Sequence, residues 1–392
     1  MATSDVTVNG LSAPENRRHY PGLDGLRGVA VLLVLVQHYV FLSMPYIWGW
    51  VGVRIFFVLS GFLITGILFD TRNAPRRWSV FYARRALRIF PLYYGVLAGG
   101  MLLYPIFRWV VHPSWVLWPL YLQNYGRFFW PDAIQSGVVD HLRSTRFLHP
   151  PFFLYYGHLW SLALEEQFYL VWPLVVFAVR RRETLMRICV GVVVLLPFVR
   201  LLCALTLPVY LLNAGVEDRF TPLQCDSLLL GALLALWIRG PAPDMTRLAK
   251  RALWVLLGIA VLSEILCPIL YGHAVYPGEG DPIFASLGYA WVNFGSAALV
   301  LLAIDPATKF SRGLQNRRLR WLGTISYGFY VFHDIPHMFY QGLAKALPLP
   351  NPRGLLTAVL ALGGTLLLAS ASFYGFERPF LKLKRRFTVQ GT

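Results

Sequence analysis

Ten apolar segments, each long enough or nearly long enough to cross a lipid bilayer, dictate what this 392-residue chain can fold into. They run over 24–43, 50–69, 90–111, 158–179, 187–207, 222–238, 252–271, 284–304, 322–345 and 354–376. The ninth is interrupted by Pro336. In lipid a backbone must satisfy its own hydrogen bonds, so segments of this length and composition are helices. The expected fold is therefore all-α, a polytopic membrane protein of about ten transmembrane helices. Only 14% of the residues are charged, against roughly 25% in a soluble domain. Residues 1–19 are polar and have no apolar core, so no cleavable signal peptide is expected and the first segment is a retained span.

The net charge of +17 does not mark a nucleic-acid binder. Its basic residues form short clusters between the apolar segments, where they act as topology signals, and not a stripe on a soluble face. With the N-terminus inside, the inner connections hold 26 of the 36 lysines and arginines and the outer ones hold 8; Arg27 and Arg54 sit at span ends. That asymmetry predicts both termini in the cytoplasm. The organisation expected is a polar cytoplasmic tail over 1–19, a transmembrane domain over 20–380 and a short basic cytoplasmic tail over 381–392. The longest outer connection, about 112–157, is rich in Trp, Tyr, Phe, Pro and His, a composition suited to a membrane interface or a stacking surface. Cys189, Cys203, Cys225 and Cys267 fall in or beside apolar segments without metal or redox spacing and read as packing residues.

Ionisable residues inside apolar spans are costly, so each is a functional candidate. The first span reads YPGLDGLRGVAVLLVLVQH. Arg27 and His38 are eleven residues apart, which puts them on one helical face and roughly 16 Å apart along the axis. A snorkelling arginine and a histidine satisfied by a neighbouring helix are the plain alternative. After the second span, Arg85 and Arg88 are three apart and share a face. Two guanidiniums so placed can grip a phosphate bidentately; Arg72, Arg76 and Arg77 read as topology signals. Span 4 begins HLWSLALEEQFYLVWP, with His158, Glu165 and Tyr169 on one face and Glu166 beside Glu165. Either the pair of glutamates belongs to a site or it is a structural ion pair with Arg27, Arg54 or another helix. Span 9 reads TISYGFYVFHDIPH and places Ser326, Tyr330, His333 and His337 on one stripe. Hydrogen bonding between helices accounts for Ser326 and Tyr330; His333 and Asp334 ask for more. No HExxH or comparable ligand spacing occurs, so no metal is expected. Asp226 reads as a cap of span 6 and Glu377 as structural.

Taken together these stretches resemble the membrane-bound acyltransferases of family 3, which acylate carbohydrates and some natural products. The family's basic residue followed by a histidine matches Arg27 and His38. Its run ending in SGFLI matches GVRIFFVLSGFLI, with Ser60 and Gly61. Its arginine-x-x-arginine matches Arg85 and Arg88. Its WSL-x-x-E-x-QFYL matches Trp160 to Leu170, with Glu165 and Gln167 in place, and its SY-x-x-Y-x-x-H matches Ser326, Tyr327, Tyr330 and His333. The chain stops soon after its last span and so resembles the stand-alone branch, without an SGNH hydrolase-like domain.

The resemblance implies an O-acyltransferase that moves an acyl group, expected to be acetyl, from acyl-CoA to a hydroxyl of a carbohydrate or natural product. Acyl-CoA is then a co-substrate, with no permanently bound cofactor and no nucleic acid among the partners. His38 is expected to act as the base, with Arg27 countering charge and Glu165 orienting His38 or an arginine. Arg85 and Arg88 are expected to hold the donor at the cytoplasmic face, and Ser60, His158, Gln167, Tyr169, Ser326, Tyr330 and His333 to support the site. The competing class is a transporter or proton-coupled channel, because intramembrane His and Glu also suit proton relays. No paired broken helices in corresponding halves point that way.

Overall fold

A computed structural model describes residues 19–39, 47–130, 141–148, 151–213, 215–241, 245–271, 282–346 and 353–387. Residues 1–18, 388–392 and parts of the 112–157 connection lie outside the described residues, while most of the tail expected over 381–392 is described and 381–386 continue the helical stretch from Leu355. The long helices are α1 (Pro21–Tyr39), α2 (Ile47–Asp70), α3 (Arg77–Leu102), α4 (Trp160–Ala178), α5 (Arg182–Thr206), α6 (Thr221–Trp237), α7 (Met245–Tyr271), α8 (Tyr289–Ile304), α9 (Arg317–Phe332), α10 (His337–Ala346) and α11 (Arg353–Ala371). Six helical stretches among the described residues are long and apolar enough to cross a membrane: Val51–Asp70, Arg77–Phe107, Gly157–Ala178, Arg182–Thr206, Phe284–Ile304 and Leu355–Arg386. Large apolar side chains on their outer faces are exposed, among them Leu170, Leu174, Val194, Phe198, Leu202 and Leu367. A soluble protein does not leave such faces bare, and lipid is their natural solvent.

Three departures from the sequence reading matter. The helix expected over 90–111 starts at Arg77 and ends at Leu102. Arg85 and Arg88 therefore lie inside α3, roughly 12 and 16 Å along its axis, rather than at a turn leading into it. The span expected over 322–345 is two helices, α9 and α10. Pro336 has no N–H to donate and disfavours helical geometry at the residue before it; the chain turns over His333–Pro336 before α10 begins. Finally, the fold is not purely helical. Strands β1 (Trp109–Val110), β2 (His141–Leu148) and β3 (Pro151–Tyr155) form an antiparallel sheet in order β1-β2-β3 within the connection between α3 and α4. The backbone N–H of Tyr155 donates to the Ile335 carbonyl at 3.2 Å, which ties the sheet to the α9–α10 turn.

Helix directions follow from paired contacts. A methyl group at Gly323 of α9 would fall on the Asp24 carbonyl near the start of α1, while His38 at the far end of α1 meets Asp334 just beyond α9; α1 and α9 run parallel. Ser60 meets Glu165 and Thr65 meets Trp172, so α2 and α4 are parallel. Gly61 lies against Leu228 and Asp70 pairs with Arg239 at 2.6 Å, so α2 and α6 are parallel as well. Close backbone approach at glycine is how helices pack where apolar burial alone gives no drive.

The polar residues buried away from the site have structural partners. Asp226 does not cap α6, which starts five residues earlier. Its carboxylate accepts from Arg200 Nη2 at 2.8 Å in an ion pair with Arg200 fully buried, and from the Ser227 N–H at 3.0 Å. Glu377 accepts from Ser372 at 2.9 Å. Arg77 donates to the Arg72 carbonyl and Arg72 to that of Arg180, as expected of residues that anchor a loop. Cys189, Cys203 and Cys225 carry no disulfide, and the side chain of Cys267 is outside the described set.

Candidate active site

A cleft of about 790 Å³, its open mouth included, lies between α1, α2, α3, α4 and α9. Arg27, Ser60, Arg85, Arg88, Glu165, Ser326 and Tyr330 all line it, together with Ser161 and Tyr327. Residues from five helices thus converge, and the lining holds three guanidiniums and one carboxylate, that of Glu165. Arg85 stacks on the Tyr169 ring, its Cζ 3.6 Å from the centroid. It stands 3.9 Å from the carboxylates of both Glu165 and Glu166. Glu165 is fixed by two hydroxyls, accepting from Ser60 Oγ at 2.7 Å and from Tyr169 OH at 2.9 Å. Among the described residues no hydrogen bond occupies the guanidinium of Arg27 or Arg88. A cleft lined by three guanidiniums inside apolar helices is a site for an anion, and paired guanidiniums are matched to phosphate.

A second cluster lies farther along α1, where it passes the α9–α10 turn. His38 Nδ1 donates to the Val34 carbonyl, one turn back, at 2.8 Å. A carbonyl only accepts, so this bond fixes the tautomer and leaves Nε2 with its lone pair. Nε2 faces Asp334 Oδ2 at 3.9 Å. The His38 side chain is 35% exposed, whereas Asp334 is buried. His333 is fully buried, donates from Nδ1 to the Tyr330 carbonyl at 2.6 Å and packs edge-on against His38, ring centroids 4.9 Å apart. His158 sits behind it at 4.7 Å and bonds the Val331 carbonyl at 3.0 Å. Tyr330 links the two regions: it lines the cleft, donates its hydroxyl to the His158 carbonyl at 2.8 Å, and holds His333 through its own carbonyl.

The sequence expectation joins Arg27 and His38 through one helix face, and both do sit on α1. The structure gives them different neighbours. Glu165 meets Arg85 and not His38; the carboxylate at His38 is Asp334, singled out in the sequence as needing a role but not assigned one. Gln167 is a latch. Its amide donates to the Tyr121 carbonyl at 2.7 Å and to Asn124 Oδ1 at 2.9 Å, and its carbonyl accepts from Tyr125 and Thr221. It clamps the 3₁₀ turns at Pro113–Leu120 and Gln123–Tyr125, and the start of α6, onto α4. Tyr169 acts through Glu165 and Arg85, and Ser326 donates to the Gly323 carbonyl at 2.8 Å at the cleft wall.

Comparison with known proteins fits this arrangement. The chain is 28% identical to the peptidoglycan O-acetyltransferase OatA of Listeria monocytogenes over 94% of its own length and 56% of that protein. It is 29% identical to the putative peptidoglycan O-acetyltransferase YrhL of Bacillus subtilis, over 93% and 55%, and 26% identical to the O-acetyltransferase OatA of Staphylococcus aureus, over 93% and 58%. It thus spans little more than half the length of these relatives. No solved structure matches it. The family model described as an acyltransferase domain matches residues 20–374, which takes in both the arginine cleft and the histidine cluster; the chain belongs to the family-3 membrane acyltransferases.

Proposed function

We propose that this protein transfers an acetyl group from acetyl-CoA to a hydroxyl of a carbohydrate polymer, from within the cell membrane. One observation carries the reading: three arginines line a single cleft, and a tautomer-fixed, solvent-accessible histidine backed by a carboxylate lies farther along the same helix. The nucleotide end of the donor is polyanionic and suits Arg27, Arg85 and Arg88. The thioester then extends along α1 towards His38. Relatives named for O-acetylation of peptidoglycan support acetyl as the group and a glycan as the acceptor class.

The chemistry follows from the His38 tautomer. The acceptor hydroxyl gives its proton to Nε2 as its oxygen forms a bond to the thioester carbonyl carbon. The Asp334 carboxylate stabilises the imidazolium. The tetrahedral intermediate collapses, the C–S bond breaks, and the departing thiolate takes the proton back from Nε2. An ester and free CoA remain, and the histidine is reset. Fully buried His333 cannot reach an acceptor without moving, which favours His38 as the base.

Ten alternating spans with both termini in the cytoplasm complete the proposal. The parallel pairs α1–α9, α2–α4 and α2–α6 each match spans of equal parity, which supports that count. It puts the start of α1 and the arginine cleft on the donor's side. Purified protein given labelled acetyl-CoA and a glycan oligosaccharide should release one free thiol per ester formed. Ester formation without thiol release, or no thioester cleavage with any acceptor offered, would contradict the donor assignment.

A further inference from the structure

We propose that His38, His333 and Asp334 form a binding site for a divalent transition-metal ion, and that filling it stops acyl transfer. The ligand atoms of the three side chains all lie within 4.8 Å of one another. Their chemistry is more telling than their spacing. His38 and His333 each donate Nδ1–H to a backbone carbonyl, of Val34 and Tyr330. In the neutral rings both Nε2 atoms are therefore lone pairs. The His333 Nε2 is buried and has no hydrogen-bond partner among the described residues. The third group, Asp334 Oδ2, is an acceptor too. Three electron-pair donors thus converge, and among the described residues no N–H or O–H satisfies the buried His333 Nε2, an arrangement that a cation relieves and that a buried polar cluster otherwise pays for.

Imidazole with its far nitrogen tied to a carbonyl is the usual form of a metal-ligating histidine, because the bond fixes ring orientation and raises basicity. The other oxygen of the carboxylate lies 3.2 Å from His337 Nδ1. Two imidazoles and one carboxylate suit zinc with an open fourth position. Metal–ligand bonds of about 2.0–2.1 Å set ligand atoms roughly 3.4 Å apart. The separation of 3.9 Å between His38 and Asp334 needs only a small side-chain rotation to reach that. The ligands come from α1 and from the α9–α10 turn, so no local sequence motif announces them. The inhibitory half of the proposal rests on His38 being the base: an ion that takes the Nε2 lone pair leaves nothing to accept the hydroxyl proton.

The test uses the full chain, purified in detergent and stripped with chelator, with Zn²⁺ and Co²⁺ as probes. Calorimetry should show one Zn²⁺ per chain. Co²⁺ should give the visible bands of a four- or five-coordinate nitrogen-ligated site, displaced by Zn²⁺, a readout that needs no variant. His333→Gln and Asp334→Asn, each checked for a monodisperse elution profile, should weaken Zn²⁺ binding about tenfold or more. Absence of stoichiometric binding and of the Co²⁺ bands, or unchanged affinity in both folded variants, would overturn the site. Saturating Zn²⁺ should abolish thiol release and chelator should restore it. Stoichiometric binding with undiminished turnover would leave the site in place and overturn His38 as the base, so the two failures are distinguishable.

Discussion

His38 Nε2 lies 3.9 Å from the carboxylate of Asp334, although the two residues come from opposite ends of the chain. The Val34 carbonyl accepts a hydrogen bond from Nδ1, so the carboxylate faces the nitrogen that would gain and lose a proton in the proposed transfer. Asp334→Asn keeps the shape and removes the charge. Turnover should fall on the order of 10²-fold, within the range of acid–base contributions, while the KM for acetyl-CoA stays close to that of the native protein. Steady-state kinetics on both substrates checks this. An unchanged kcat would make Asp334 a packing residue.

Arg85 is held by stacking on Tyr169 as well as by charge. Lysine cannot make the planar fork and stacks less well. Arg85→Lys and Arg88→Ala should therefore raise the donor KM more than the acceptor KM, and lysine should rescue only in part. Donor and acceptor titrations of each variant decide the point. Equal effects on both substrates would remove these arginines from donor binding.

The buried pair Arg200–Asp226 holds α5 to α6 at 2.8 Å. Asp226→Ala leaves a guanidinium with no exposure and no counter-charge, and should destabilise the protein by about 3–5 kcal/mol. The double change Arg200→Met with Asp226→Leu should recover much of that loss. Thermal unfolding in detergent measures both. A double variant no more stable than the single one would argue against an uncompensated charge as the cause.

Topology is testable at two exposed positions, Asn73 between α2 and α3 and Phe129 in the outer connection. A cysteine replacing Phe129 should react with an impermeant reagent on intact cells, and one replacing Asn73 only after permeabilisation. The reverse pattern would overturn the orientation and the side from which the donor enters.

The apolar segments made most helices legible, because lipid leaves the backbone few alternatives. The cleft was legible in part: Arg27, Ser60, Arg85, Arg88, Glu165, Ser326 and Tyr330 do converge. Other relations were not local. Of the two partners the sequence left open for Glu165, His38 or an arginine, helix packing supplies Arg85, a choice no spacing within one helix can reveal. Asp334 finds His38 only because Pro336 ends α9 and turns the chain across the end of α1. The early start of α3 escaped because Arg77, Arg84, Arg85 and Arg88 mask its apolar content. The strand at 109–110 has two residues, that at 141–148 lacks a regular alternation of apolar and polar residues, and that at 151–155 is a short, largely aromatic run, so none stands out from an interfacial loop. Gln167, which carries a family motif, proves to be a latch for that connection.

His38 is the proposed base, and the turnover of His38→Gln tests that role most directly. Glutamine keeps a hydrogen-bonding group at this position but cannot take a proton. The protein should insert and elute as the native form does, bind acetyl-CoA with similar affinity, and turn over slower by on the order of 10²–10⁴. A well-folded His38→Gln protein that retains most of its activity, while His333→Ala abolishes it, would contradict the account and move the chemistry to the α9–α10 turn.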